Sequence, residues 1–496
     1  MTTTTRTTPT SGGPPAGRRA AGWQPALLGL FAVALVLRLY NAASAHELFI
    51  DESEYTDIAR SIGEGRGVRL FGEPFHLHPP LFFWVLSLFA DPAAPLLQAV
   101  LDLRWVNAVL GAASAVVVAV LADRARGRAA GVLAGALFAL NPYLVKFDSR
   151  VTLETLMGLG VLLGVLLLAV AGSRGAWALA AGAAFGLALV SKETSALVTT
   201  VPLLLFLVLR RPVPRRVAAL ALAGQAAVYA VYVAGIAVTG HLPGWWREKS
   251  SGVLRAVGVV QSTGYNAPGR SSLGERLIAN SALFAPAYLV IGFGVVAACA
   301  LLARRWRALS AGPLAVVLHW QAAVCLPMAY TVLFGTLEEQ TFYLLAVPAT
   351  AATAVVLAGW LADTGRVRLV AAGVSAVLLV WSAASWSVVH TSRDDGYARF
   401  QEWADRELPA NSRLAVGEHT GKFVLTGFRI KEVRTARAAF EWGGYALVST
   451  ALAERGLGSM PQSEVDELAR GARLVHVERG RTLGELRLYE LGGGRP

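Results

Sequence analysis

The chain has 496 residues, of which 55% are hydrophobic and 16% charged, with a mean hydropathy of +0.51. Soluble proteins carry about 25% charged residues, so the composition excludes an ordinary soluble enzyme. The net charge of +12 raises nucleic acid as a partner, but the basic residues are distributed as membrane topology distributes them, which argues against nucleic acid.

The first 22 residues, "MTTTTRTTPTSGGPPAGRRAAG", are rich in Thr, Pro and Gly and read as a disordered cytoplasmic tail over 1–22. They do not read as a signal peptide: the polar stretch is too long, and no cleavage site follows the first apolar run. Apolar runs near the roughly 20 residues needed to span a bilayer then recur at 26–43, 104–122, 129–146, 154–171, 176–191, 195–209, 217–238, 280–303, 311–333, 342–361 and 369–389. The fold class expected is an all-α polytopic membrane protein with about 11 transmembrane helices over 23–389, followed by a small extracytoplasmic α/β domain over 390–496.

With Arg18 and Arg19 inside, the inner loops collect Arg124, Arg126, Arg128, Arg174, Arg210, Arg211, Arg215, Arg216, Arg304, Arg305, Arg307, Arg366 and Arg368, opposed by Asp123 and Asp363. This follows the positive-inside rule and places the protein in the cytoplasmic membrane. The acids lie outside. The first outer loop, 44–103, contains "LFIDESEYTDIARSIGEG", in which Tyr55, Ile58, Ala59 and Ile62 have helical spacing for an apolar face on the membrane. Asp51 there is either a helix N-cap with Glu54 completing a capping box or a functional acid. "HPPLFFWVLSLFA", 78–90, is too short to span and reads as an interfacial helix started by Pro79 and Pro80. The long outer loop, 239–279, combines "HLPGWWREKS" with "STGYNAPGRSS" and reads as a mobile loop touching the interface.

The tail reads as one helix, "DDGYARFQEWADREL", and short strands at "RLAVG", "YALVST", "RLVHVERG" and "ELRLYEL". Cys299 and Cys325 lie inside apolar runs and read as packing residues. Arg38, inside the first span, either snorkels to the interface or points inward.

Charged groups gather on the outer side: Asp51, Glu52, Glu54 and Asp57; Asp148, Arg150 and Glu154; Lys192 and Glu193; Glu338, Glu339 and Gln340. Each later pair alone is what a solvated loop carries. Together they supply what a base activating a hydroxyl, and cations holding a phosphate leaving group, require.

"FIDESEYTDIARSI", "HPPLFFW", "DSRVTLETLM", "GLALVSKETSAL" and "EEQTFYLLAVPATAATAV", in that order, resemble the GT-C glycosyltransferases of family 39 over roughly residues 25–362. That family includes protein O-mannosyltransferases and lipid A aminoarabinose transferases. The resemblance implies an inverting transfer of a sugar from a polyprenyl-phosphate carrier on the outer side of the membrane. It gives Asp51 the role of general base with Glu52 beside it, and places Glu154, following Arg150, at the second acidic position. His78 matches the residue before the Pro-Pro pair, and Tyr343 a tyrosine near the carrier phosphate. Asp148, Lys192 and Glu339 join the substrate-binding candidates from the same outer loops.

Two departures stand out. Aminoarabinose transferases carry Arg at the position of Glu54 and Lys at that of His78, so Lys192, Arg60 or Arg270 must take over the phosphate. A sugar phosphate leaves without needing a proton, whereas the acceptor hydroxyl needs a base within about 3 Å. One carboxylate therefore suffices, and direct attack inverts the anomeric centre. The chemistry requires no cofactor. A divalent metal stays open, with His76, His78 and Glu73 as ligands, against the two histidines serving as hydrogen-bond donors. The implied partners are a polyprenyl-phosphate-linked donor (mannose first, pentose open), membrane lipid, and a hydroxyl acceptor on a protein, glycan, lipid or secreted metabolite. The competing readings are a carrier-lipid transporter or flippase, which calls for ionisable groups near mid-bilayer, and a cell-surface glycan polymerase or ligase.

Overall fold

The computed structural model describes residues 22–260 and 272–492. The expectations for the N-terminal tail, for Arg18 and Arg19, and for Arg270 lie outside the described residues.

The chain opens with α1 (Gln24–Leu39), a short α2 (Ala42–Ala45) and the acidic helix α3 (Ile50–Gly63), then a small hairpin, β1 (Arg69–Leu70) and β2 (Glu73–Pro74), and α4 (Leu81–Ser87). The helical body follows as α5 (Leu96–Arg126), α6 (Arg128–Leu140), α7 (Pro142–Asp148), α8 (Leu153–Ala171), α9 (Gly175–Leu189), a 3₁₀ turn (Glu193–Leu197) with α10 (Thr200–Leu209), and α11 (Arg215–Val238). It continues through α12 (Leu242–Ala256), α13 (Leu273–Arg305), α14 (Pro313–Leu333), α15 (Thr341–Leu361) and α16 (Arg366–Thr391).

Seven of these helices are long and apolar enough to cross a membrane, and α6 with α7 makes an eighth span if the bent pair is taken together. The bend of 62° falls at Asn141. The Asn141 side chain accepts the amides of Tyr143 and Leu144 at 3.0 and 3.2 Å, and Pro142 takes the first helical position, so a new helix is capped and started there. The remaining apolar runs fall on the shorter segments Gln24–Leu39, Gly175–Leu189 and Glu193–Leu209. The chain is therefore a multi-pass helical membrane protein. α15 is enclosed by its neighbours, whereas α11 and α16 turn much of their apolar surface outward. α9 lies tight against α11: a Cβ on Gly182 would meet the Ala221 carbonyl at 2.2 Å, the close backbone approach that small residues permit.

Three expectations are corrected. The apolar face of α3 does not lie on the membrane. Tyr55, Ile58 and Ala59 are buried in one core with Phe82, Phe83 and Leu86 of α4 and Tyr397, Phe400 and Leu488 of the C-terminal region, because these elements offer a protein surface instead. Asp51 is not the N-cap. Phe49, in extended conformation, holds that position, and Glu52 closes the turn by accepting the Phe49 amide at 3.2 Å. The stretch 239–279 is not all loop: α12 is amphipathic, with Trp245 buried and donating to Tyr232 Oη at 3.0 Å while Trp246 stays exposed.

The C-terminal region contains α17 (Gly396–Glu407), β3 (Arg413–Val416), α18 (His419–Val424), β4 (Arg429–Glu432), α19 (Ala436–Trp442), β5 (Gly444–Ser449), α20 (Thr450–Glu454), α21 (Gln462–Gly471), β6 (Arg473–Gly480) and β7 (Gly484–Leu491). The four expected strands are present, and β4 joins them in a five-stranded sheet of order β4-β3-β5-β7-β6. β3 is parallel to β4 and β5, through helical crossovers, and β7 is antiparallel to β5 and β6. In register, Leu414 faces Ile430 and Tyr445, and Leu447 faces Leu488. This region packs on α3 and α4, so the sheet and the acidic helix share one end of the bundle.

Candidate active site

Four of the buried or half-buried ion pairs organise the end of the bundle that carries α3. Arg38 turns inward and grips Asp148 through Nε and Nη2 at 3.0 and 2.7 Å, both side chains fully buried. Asp148 also accepts Tyr343 Oη and Thr155 Oγ1 at 3.1 Å each. Arg38 thus neither snorkels nor reaches towards a carrier. Arg104 grips Glu52 through Nε and Nη2 at 3.0 and 2.9 Å, and donates Nη1 to the carbonyls of Ala42 and His46 at 2.7 and 3.0 Å. The other two pairs are Lys192 with Glu154 and Lys146 with Glu339. A charge out of water is tolerated only when paired and hydrogen-bonded, and these pairs meet that condition.

Asp51 stands outside these pairs. Among the described residues it enters no ion pair, although it sits beside the Lys192–Glu154 pair and within hydrogen-bonding reach of Tyr55. Burial raises its pKa from 3.8 to about 6; Lys192 and the Tyr55 hydroxyl pull down, while Glu154 and Glu338 push up. Asp51, Glu54 and Tyr55 stand at i, i+3 and i+4 of α3, on one face. Burial, then the Asp51 charge, raises Glu54 to about 7. The face therefore carries two carboxyls that titrate near neutrality, a range suited to taking a proton.

The other expected residues separate into those beside Asp51 and those away from it. His78 stacks edge-on to Tyr55 with ring centroids 6.0 Å apart; burial, then Lys192, Lys249 and Arg255, hold it well below the usual histidine range, so it is neutral. Lys192 is committed to Glu154 and is not a free phosphate ligand. Glu52 is fully buried and fully engaged by Arg104 and by the amides of Phe49 and Val151; its catalytic assignment is corrected to a structural one. Tyr343 donates to Asp148, which also accepts from Thr155 and Arg38. Glu339 is held below the usual carboxylate range because Lys146 outweighs its burial. Arg60 stands nine residues along α3 from Asp51, about 13 Å at the helical rise, and donates to the Pro92 carbonyl at 2.5 Å, so it does not substitute at the site. Arg150 donates Nη2 to the Glu47 carbonyl at 3.0 Å, and its buried Nε has no partner. His76 lies against His241, 5.3 Å between centroids, rather than with His78 and Glu73, and among the described residues no three metal-ligating side chains converge.

Sequence reasoning assigned nothing to Arg104, Lys249 or Glu47. Lys249 of α12 donates to the Leu77 carbonyl at 2.8 Å and pairs with Glu193, tying together the loops that carry His78 and Lys192. The Glu47 carboxyl accepts the amides of Leu48 and Gly396 at 2.9 and 2.5 Å, and burial raises its pKa to about 8. An arginine eight residues into α5 and an acid in "AHELFI" were the available signals.

Residues 77–239 match the family model of the dolichyl-phosphate-mannose-protein mannosyltransferases. No curated protein sequence matches. Among solved structures, ArnT from Cupriavidus metallidurans is similar over 96% of this chain and 100% of its own, at 14% identity and a TM-score of 0.58. The same protein bound to undecaprenyl phosphate gives 0.56 at 14% identity, with the same coverage. The Archaeoglobus fulgidus oligosaccharyltransferase complexed with Zn and sulfate matches over 94% of this chain and 72% of its own, at 12% identity and a TM-score of 0.58. The fold is that of the GT-C glycosyltransferases.

Proposed function

We propose that the chain is an inverting glycosyltransferase that moves a sugar from a polyprenyl-phosphate carrier to a hydroxyl acceptor on the outer side of the cytoplasmic membrane. The observation that carries this reading is Asp51: a desolvated carboxylate without an ion-pair partner among the described residues, raised to about 6, at the outer end of a GT-C bundle. The similarity to a protein solved with undecaprenyl phosphate supports the donor class. The mannosyltransferase family model over 77–239 supports mannose as the first sugar to test.

In this reading all eleven apolar segments cross the membrane, residues 23–389 form the catalytic domain and 390–496 an outer domain. Asp51 Oδ accepts the proton of the acceptor hydroxyl as that oxygen attacks the anomeric carbon from the face opposite the phosphate. The C–O bond to phosphate breaks, and its electron pair leaves with the phosphate. Asp51 is largely ionised at pH 7, as a base must be; Glu54, titrating about one unit higher, is the group to which the proton can pass. Lys192 favours the ionised form of Asp51 against the opposing charge of Glu154, and Tyr55 and neutral His78 orient the substrates by hydrogen bonding. The test is transfer from a polyprenyl phosphate-β-mannose by the purified chain, with the linkage of the product read by NMR. An α-linked product is expected; a β-linked product, or release of free sugar alone, overturns the reading.

A further inference from the structure

Ala45 ends α2, and His46, in extended conformation at φ −133° and ψ 123°, leads the chain on to α3. Two arginines hold the backbone of this junction. Arg150 donates to the Glu47 carbonyl at 3.0 Å, and Arg481, from the turn between β6 and β7, donates to the Ala45 carbonyl at 2.9 Å. The intervening His46 carbonyl points away, to Arg104 at 3.0 Å. The two guanidinium groups lie within electrostatic reach of each other, one from the membrane bundle and one from the C-terminal region.

Lys146, at the outer end of α7, lies within electrostatic reach of both. Ion pairs cover two of the three cations: Glu339 pairs with Lys146, and Asp394 with Arg481 at 3.2 Å, while Glu339 reaches Arg150 only at longer electrostatic range. The Glu47 carboxyl faces the amides of Leu48 and Gly396 instead. Arg150 is left, 9% exposed, with no ion pair among the described residues and a buried Nε without a partner. A guanidinium carries five donors, and burying one without an anion is costly. An anion between Arg150, Lys146 and Arg481 removes that cost.

We infer that Arg150, Lys146 and Arg481 form an anion site at the junction of the two domains, and that its ligand is the phosphate of a lipid-linked carrier. The inference rests on the glycosyl-transfer reading for the identity of the lipid. The lipid character comes from the surroundings. Lys146 lies over the Phe284 ring at 5.4 Å, and Tyr143, Tyr288 and Phe342 line a shallow surface beside Glu339 and Arg276. A phosphate on Lys146 thus has an aromatic surface beside it for the first part of its tail. The C-terminal region becomes part of the binding site through Arg481.

The experiment uses the full chain in zwitterionic nanodiscs, with undecaprenyl phosphate as the probe and phosphatidylglycerol and inorganic phosphate as competitors. Arg150→Gln and Arg481→Gln are each expected to weaken carrier binding roughly 10- to 100-fold, the range for a lost charge-assisted hydrogen bond, with Arg150→Lys retaining part of it. Carrier-induced thermal stabilisation should vanish in Arg150→Gln, a readout that does not need turnover. Unchanged affinity in Arg150→Gln overturns the site. Displacement by phosphatidylglycerol at equal mole fraction, or by millimolar phosphate, overturns the carrier assignment. If Arg150→Gln binds normally while the wild type transfers sugar, only this inference falls. If the wild type binds carrier through Arg150 but transfers nothing from it, only the enzymatic reading falls.

Discussion

Glu52→Gln separates a structural acid from a catalytic one. The Glu52 carboxylate takes four donors: Arg104 Nε at 3.0 Å, Arg104 Nη2 at 2.9 Å, the Val151 amide at 3.0 Å and the Phe49 amide at 3.2 Å. Arg104 in turn holds the turn at 42–46 through the Ala42 and His46 carbonyls. Glutamine removes the negative charge and points an amide NH₂ at donors on one side. Breaking a buried pair by neutralising one partner costs about 3–5 kcal/mol, because Arg104, 1% exposed, stays charged in place. The expected outcome is a loss of that size in SDS-titrated unfolding, with the start of α3 loosened and activity lost through the fold. Replacing both residues by methionine should recover much of the stability. Wild-type stability in Glu52→Gln, with turnover alone reduced, would refute the structural assignment and return Glu52 to the reacting centre.

Gly111→Ala would place a Cβ 2.5 Å from both Arg38 Nε and Asp148 Oδ2; it should destabilise by about 3 kcal/mol through overpacking and rupture of that pair, read by thermal unfolding. Asp51 at about 6 puts the acidic limb of kcat/KM near pH 6 rather than near 4, and Lys192→Met, by removing a charge that lowers Asp51, should move the limb to higher pH. Raising this carboxyl from 3.8 to about 6 costs about 3 kcal/mol of folding stability once it is ionised, so Asp51→Asn should be more stable above pH 6, the difference vanishing below about pH 4. Reporter fusions after Arg216 and Arg307 should be cytoplasmic and fusions after Arg413 extracytoplasmic; a cytoplasmic signal after Arg413 would put Asp51 and the sheet on the wrong side.

The membrane-spanning pattern was legible because hydropathy and loop charge act locally: the run at 342–361 and helix Thr341–Leu361 differ by one residue at the start. Asp51 was legible as a candidate functional acid, with an N-cap as the alternative that the Phe49 cap removes. Its neighbours were less so. Arg104 and Glu52 are 52 residues apart, Arg38 and Asp148 are 110 apart, and no periodicity links them. The apolar face of α3 had the right spacing but the wrong partner, because spacing does not distinguish lipid from the Phe82–Phe83 surface of α4. β4, "RIKE", was missed: four residues at the sheet edge, with two charges outward, carry little strand signal. The roles of Glu47 and Arg481 depend on docking of the C-terminal region, which no motif announces.

The central claim is that Asp51 takes a proton. The most direct test is turnover of labelled sugar from its polyprenyl phosphate by purified Asp51→Asn, with folding and carrier affinity measured on the same sample. Asparagine keeps the shape and the first-turn position in α3 but cannot act as a base. Turnover lower by a factor of about 10²–10⁴, the usual contribution of a general base, with carrier binding preserved and stability equal to or above that of the wild type, is the predicted result. An Asn variant retaining more than roughly a third of wild-type turnover, well outside that range, would contradict it.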